Sequence, residues 1–137
     1  MRSFNMADNP AFAVYPEIGN GFVSVLNNNR DGTSGSGYVT FASGIRGGTR
    51  IAEIVVMTTG TTVAGLARVF ISGLGISGNP LFDEITILAA TPSASTKATR
   101  ISTTYNNLVL QSGQFLNATN SIGPAQGFNI IALGADL

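Results

Sequence analysis

Apolar residues alternate with polar or small ones over much of the chain. Over residues 66–72, Ala67, Val69 and Ile71 share one face, and Leu66, Arg68 and Phe70 share the other. Over residues 81–88, Ile85 and Ile87 oppose Glu84, Thr86 and Leu88; over residues 128–133, Phe128, Ile130 and Ala132 oppose Asn129, Ile131 and Leu133. A period of two places each set on one side of a β-strand. The same reading predicts strands over residues 22–26, 38–43, 50–59, 99–103, 107–110 and 114–119. Between them lie stretches rich in Gly, Ser, Thr, Asn and Pro, of which NNNRDGTSGSG at residues 27–37 is the longest. GTTVAG at residues 60–65 reads as a hairpin connection. No segment sustains a helical period over about 10–12 residues. The expectation is an all-β fold of about eight antiparallel strands, a β-sandwich or jelly-roll-like domain over residues 21–137.

Residues 1–20 read differently. Pro10 and Pro16 disfavour helix at and before their positions, yet Phe4, Phe12, Val14, Tyr15 and Ile18 make the segment too apolar for a solvated tail. An extended N-terminal arm is predicted, packing on its own domain or on a neighbour. The second faces of the strands are also unusual. A solvated face should read polar, but Leu66, Phe70, Leu88, Ile131 and Leu133 remain there. These five, with Phe4, Phe12, Val14 and Tyr15 of the arm, are the candidate contacts to other copies of the chain or to a larger shell that it joins. Arg68 and Glu84 fall on outer faces of strands expected to be neighbours and are a candidate cross-strand ion pair. An exposed pair of this kind contributes only about 0.2–1 kcal/mol.

Composition narrows the function. Charged residues are 10% of the 137, against a usual value of about 25%, and seven basic side chains balance seven acidic ones. Solubility normally rests on charge. Either much of the surface is covered in an assembly, consistent with the scarcity of charge at interface cores, or the sheets present a neutral, Thr-rich face. Without Cys or His there is no disulfide, thiolate metal site, imidazole base or Ser-His-Asp triad. Zero net charge with a single Lys argues against nucleic acid. No apolar run approaches a membrane span, and MRSFNMADNP has no apolar signal core.

The chemical motifs fail on inspection. GLGISG at residues 73–78 matches G-x-G-x-x-G, but Asn79-Pro80 and a strand follow where a helix is required. NNNRDG at residues 27–32 imitates a calcium loop, with Tyr38 where a bidentate Glu belongs. Asp83 and Glu84 are adjacent on a strand and point to opposite faces. SASTK misses the S-x-x-K spacing because Ala94 stands at the Ser position. No catalytic residue, cofactor or metal site is expected, and the function reads as geometric.

Three segments together carry a resemblance: TRIAEIVVMTTGTTVAGLARVFI at residues 49–71, LFDEITILAATPSAST at residues 81–96, and FNIIALGADL at residues 128–137. In that order they resemble small β-sandwich proteins among the virion structural proteins of tailed bacteriophages, a group that includes capsid decoration (cement) proteins. The resemblance covers roughly residues 40–137. It implies a non-enzymatic protein at the capsid surface, made in the host cytoplasm. Its expected partners are itself, as a homotrimer, and the major capsid protein, whose neighbouring copies it bridges. Two other roles stay open: a neck, tail or baseplate component, and a carbohydrate-binding module. The latter would use exposed aromatics beside polar groups, for which only Tyr15, Tyr38 and Tyr105 offer phenols.

Overall fold

The computed structural model describes residues 15–122 and 127–137. Alternation becomes eight strands: β1 (Tyr15–Val23), β2 (Val39–Ser43), β3 (Thr49–Thr58), β4 (Gly65–Gly73), β5 (Leu81–Ile87), β6 (Arg100–Leu110), β7 (Gln114–Asn120) and β8 (Phe128–Asp136). They form two four-stranded sheets, in the orders β1-β8-β3-β6 and β2-β7-β4-β5, with every strand pairing antiparallel. The pairs β1–β8, β2–β7, β3–β6 and β4–β5 nest inside one another along the chain. A long hairpin wrapped into two sheets has this order, which is the jelly roll.

Inward faces of both sheets supply the core. Ile54, Val56, Ile130, Phe128 and Ala132 from the first sheet meet Ala67, Val69, Ile85, Ile87 and Leu116 from the second, all at most 3% exposed. The sandwich closes tightly where the edge strands β1 and β2 meet. A Cβ on Gly19 would lie 2.2 Å from the Phe41 carbonyl oxygen, and one on Gly21 would lie 2.7 Å from Val39 Cγ1. Only a strand without side chains on its inner face can approach so closely. The opposite side, between β5 and β6, is held by Tyr105, whose hydroxyl donates to Asp83 Oδ2 at 2.6 Å.

Several sequence expectations change. Residues 15–20, assigned to the arm, are the first part of β1 and pair with β8; a free edge on β8 drew them into the ladder despite Pro16. Phe4, Phe12 and Val14 lie outside the described residues. Residues 60–65 do not join a hairpin, because β3 and β4 belong to different sheets; the segment crosses between layers. The two short strands expected at residues 99–103 and 107–110 are one strand, β6, interrupted by a bulge.

Candidate functional site

The two outer faces of the sandwich are treated differently. On the second sheet, Arg68 and Glu84 are paired across β4 and β5, and Arg68 faces Thr119 on β7. Phe70 faces Asn117, which faces Thr40. Residues 24–38, between β1 and β2, lie across this face. Asn27 fixes the loop: its backbone N–H donates to the Asn120 carbonyl at 2.8 Å, and its buried amide Nδ2 donates to the carbonyls of Ser34 and Ser36 at 3.1 and 2.9 Å. Arg68 Nη1 reaches the Asn27 carbonyl at 3.4 Å. Asn79 Nδ2 donates to the Gly32 carbonyl at 3.0 Å. The Tyr38 ring stands edge-on to Phe70, with centroids 5.3 Å apart.

This coverage corrects two readings. Phe70, a candidate intersubunit contact, is fully buried within its own chain, because Tyr38 and its loop cover it. The Arg68–Glu84 pair forms, with Arg68 Nε 2.8 Å from Glu84 Oε2, but it is not an exposed pair: the Arg68 side chain is 6% exposed and that of Glu84 29%. Arg30 from the covering loop shares the same carboxylate oxygen at 2.7 Å. Burial pushes the Glu84 carboxyl up, but hydrogen bonds and charge from Arg30 and Arg68 outweigh it and hold the group below the usual glutamate range. Thr119 Oγ1, buried on the same face, has no hydrogen-bond partner among the described residues.

Asp31 in this loop accepts from the Thr33 and Ser34 backbone N–H groups at 3.0 and 2.9 Å and from the Ser34 hydroxyl. The Ser34 hydroxyl and these N–H groups lower its pKa. The carboxylate closes a turn, as an Asx residue does. Among the described residues, no group of three acidic side chains could hold a metal ion.

Among the described residues, no segment lies across the first sheet in this way. Register places Ile18, Asn20 and Phe22 of β1 beside Leu133, Ile131 and Asn129 of β8, and these beside Glu53, Val55 and Met57 of β3. All point away from the core. Ile18 is 69% exposed and Phe22 50%, while Ile131, Leu133 and Met57 are half-buried. Val55 faces outward yet is 4% exposed. The result is an open apolar face, rimmed by Arg50 and Glu53 of β3 and Arg100 of β6.

The remaining candidates do not gather at one place. Leu66 is half-buried on the strapped face. Leu88 is exposed just beyond β5, and Tyr15 is exposed at the start of β1. Sequence reasoning missed Ile18 and Phe22 as partners of Ile131 and Leu133. Their alternation with Asn20 was the available signal. No protein-family model, curated protein or solved structure matches the chain.

Proposed function

We propose that this protein is a non-enzymatic structural protein of a viral particle, a capsid decoration protein that assembles with copies of itself and bridges neighbouring shell proteins. The observation that supports this reading is the asymmetry of the two outer faces. One is covered by the chain's own residues 24–38, down to complete burial of Phe70. The other presents Ile18, Phe22, Ile131 and Leu133 to its surroundings. An exposed apolar row of this kind, rimmed by polar residues, marks an interaction surface. The low charge of the chain fits the same role, since interface cores are poor in charge.

The occupant of the open face in this reading is a second copy of the chain. Arg50, Arg100 and Glu53 place both signs of charge around the apolar row, which suits a symmetric contact between like surfaces. The oligomer then meets the shell at several equivalent points, so that modest contacts combine through effective concentration. The jelly roll serves viral shell proteins and lectins alike; by itself it assigns neither role. The sequence resemblance supports the phage particle, and the exposure of Ile18 and Phe22 supports a self-docking face.

Two measurements test the proposal. The first is the copy number of the chain in purified particles of its source virus, by quantitative mass spectrometry against the major capsid protein. A ratio near one to one, or one oligomer per few capsid subunits, supports decoration. Roughly a dozen copies per particle moves the protein to the neck or tail, and absence overturns the structural role. The second is the native mass of the purified chain beside Ile18→Arg and Ile131→Arg. An oligomer that both variants dissociate supports the open face; a monomer, or variants that assemble unchanged, overturns it.

A further inference from the structure

The edge strands β5 and β6 each carry a bulge, and the two bulges face each other across the open side of the sandwich. In β5, Phe82 is the extra residue between the pairs Val69↔Asp83 and Phe70↔Leu81. In β6, residues 105–107 stand opposite Ala52 alone, between Ile51↔Leu108 and Glu53↔Thr104. A bulge interrupts the ladder and re-aims side chains. Here the re-aimed side chains converge. The Phe82 and Tyr105 rings lie 5.5 Å apart, tilted by 40°, and they line a concavity of about 200 Å³ together with Asn106, Asn107 and Leu108.

The groups in this concavity have distinct states. Tyr105 is held rigidly, since its hydroxyl donates to Asp83 Oδ2 at 2.6 Å and Asp83 Oδ1 accepts from the Glu84 N–H at 2.8 Å. Phe82 remains 38% exposed. The side-chain amides of Asn106 and Asn107 are exposed and have no hydrogen-bond partner among the described residues. Each amide offers two N–H donors and a carbonyl acceptor. No lining residue carries a formal charge.

We infer that this concavity binds one neutral pyranose unit of a glycan. An aromatic face takes the apolar C–H face of a sugar ring. A planar amide matches a pair of neighbouring hydroxyls, donating to one and accepting from the other. Uncharged lining selects neutral sugars over acidic ones. Small-ligand sites share this pattern of apolar wall and few placed polar groups, and aromatic rings with a wet edge suit such interfaces. The inference stands apart from the assembly role and uses none of the open-face residues.

The test is a titration of the full ¹⁵N-labelled chain with neutral oligosaccharides of glucose, galactose, mannose and N-acetylglucosamine, followed by NMR. At least one is expected to give saturable shifts confined to the Asn106 and Asn107 side-chain amides and the backbone of residues 82 and 105–108. The dissociation constant for so small a ligand should be on the order of millimolar or tighter. Asn107→Ala, a surface change, should weaken binding at least tenfold with an otherwise unchanged spectrum. Phe82→Leu, which keeps bulk but removes the ring, should do the same. If no sugar in the set moves these signals, or if both variants bind as the parent does, the inference is overturned. The facing bulges then serve only to keep the edges β5 and β6 from pairing with other strands.

Discussion

Glu84→Gln tests how the strapped face is held together. Arg68 is almost wholly buried beneath residues 24–38, and its contacts there are Glu84 Oε2 at 2.8 Å and the Asn27 carbonyl at 3.4 Å. Glu84→Gln keeps a carbonyl acceptor beside Arg68 Nε but removes the charge, which leaves a buried guanidinium with neutral acceptors alone. Breaking a fully buried pair from one side costs about 3–5 kcal/mol. The Glu84 side chain is 29% exposed, so solvent screens part of the interaction and about 2–3 kcal/mol is expected. For 137 residues the unfolding entropy near the midpoint is about 0.29 kcal/mol/K, and the loss corresponds to a Tm lower by about 7–10 °C. Arg30→Ala removes the second cation from the same oxygen, but that side chain is 55% exposed and the loss should stay below about 1 kcal/mol.

The pH dependence carries a sign. The folded-state pKa of Glu84 is depressed, so its contribution is fully present above the unfolded glutamate value of about 4.3. It is lost as pH falls through the lower folded value. Urea denaturation from neutral pH down into the acid range therefore shows the parent losing stability faster than Glu84→Gln, and the gap between them narrowing. If Glu84→Gln costs no more than Arg30→Ala at neutral pH, the reasoning fails. The Arg68 charge would then be hydrated beneath the loop and not matched by Glu84.

Three further outcomes follow from the packing. Gly19→Ala sets a methyl against the Phe41 carbonyl at 2.2 Å and should destabilise by about 1–3 kcal/mol, with β1 amides exchanging faster; Gly60→Ala, where a Cβ would meet nothing within 4 Å, should leave β1 exchange unchanged. Thr119→Val replaces a buried hydroxyl that lacks a partner among the described residues with a methyl of similar shape, so chemical denaturation should find the variant equal to the parent or more stable by about 1 kcal/mol; a clear loss would mean the hydroxyl is satisfied. Tyr105, raised by burial and by its bond to Asp83, should release its proton well above the ordinary phenol value of about 10. Its contribution to stability is present below that value and fades as pH rises toward the folded pKa; ultraviolet titration should find one phenol delayed in the parent and absent in Tyr105→Phe.

Much of the fold is legible in the sequence because the signal is local. A pleated strand turns successive side chains to opposite faces. Period two alone therefore placed Ala67 and Val69 inward, Arg68 and Phe70 outward, and Glu84 on the same side as Arg68. The absence of Cys and His limited the chemistry in the same direct way. What covers each outward face depended on tertiary structure. Residues 27–37 have the composition of a solvated turn, and nothing in them indicates that Asn27 anchors a strap over Phe70. Residues 15–20 carry two signals, an apolar pattern and Pro16, and only the free edge of β8 decided between strand and arm. The Phe82 and Tyr105 concavity was invisible for the same reason. It exists because two bulges, 23 positions apart in the chain by their aromatic residues, fall opposite each other across the sandwich. Alternation is written residue by residue, whereas pairing, register and coverage are set by contacts between distant segments.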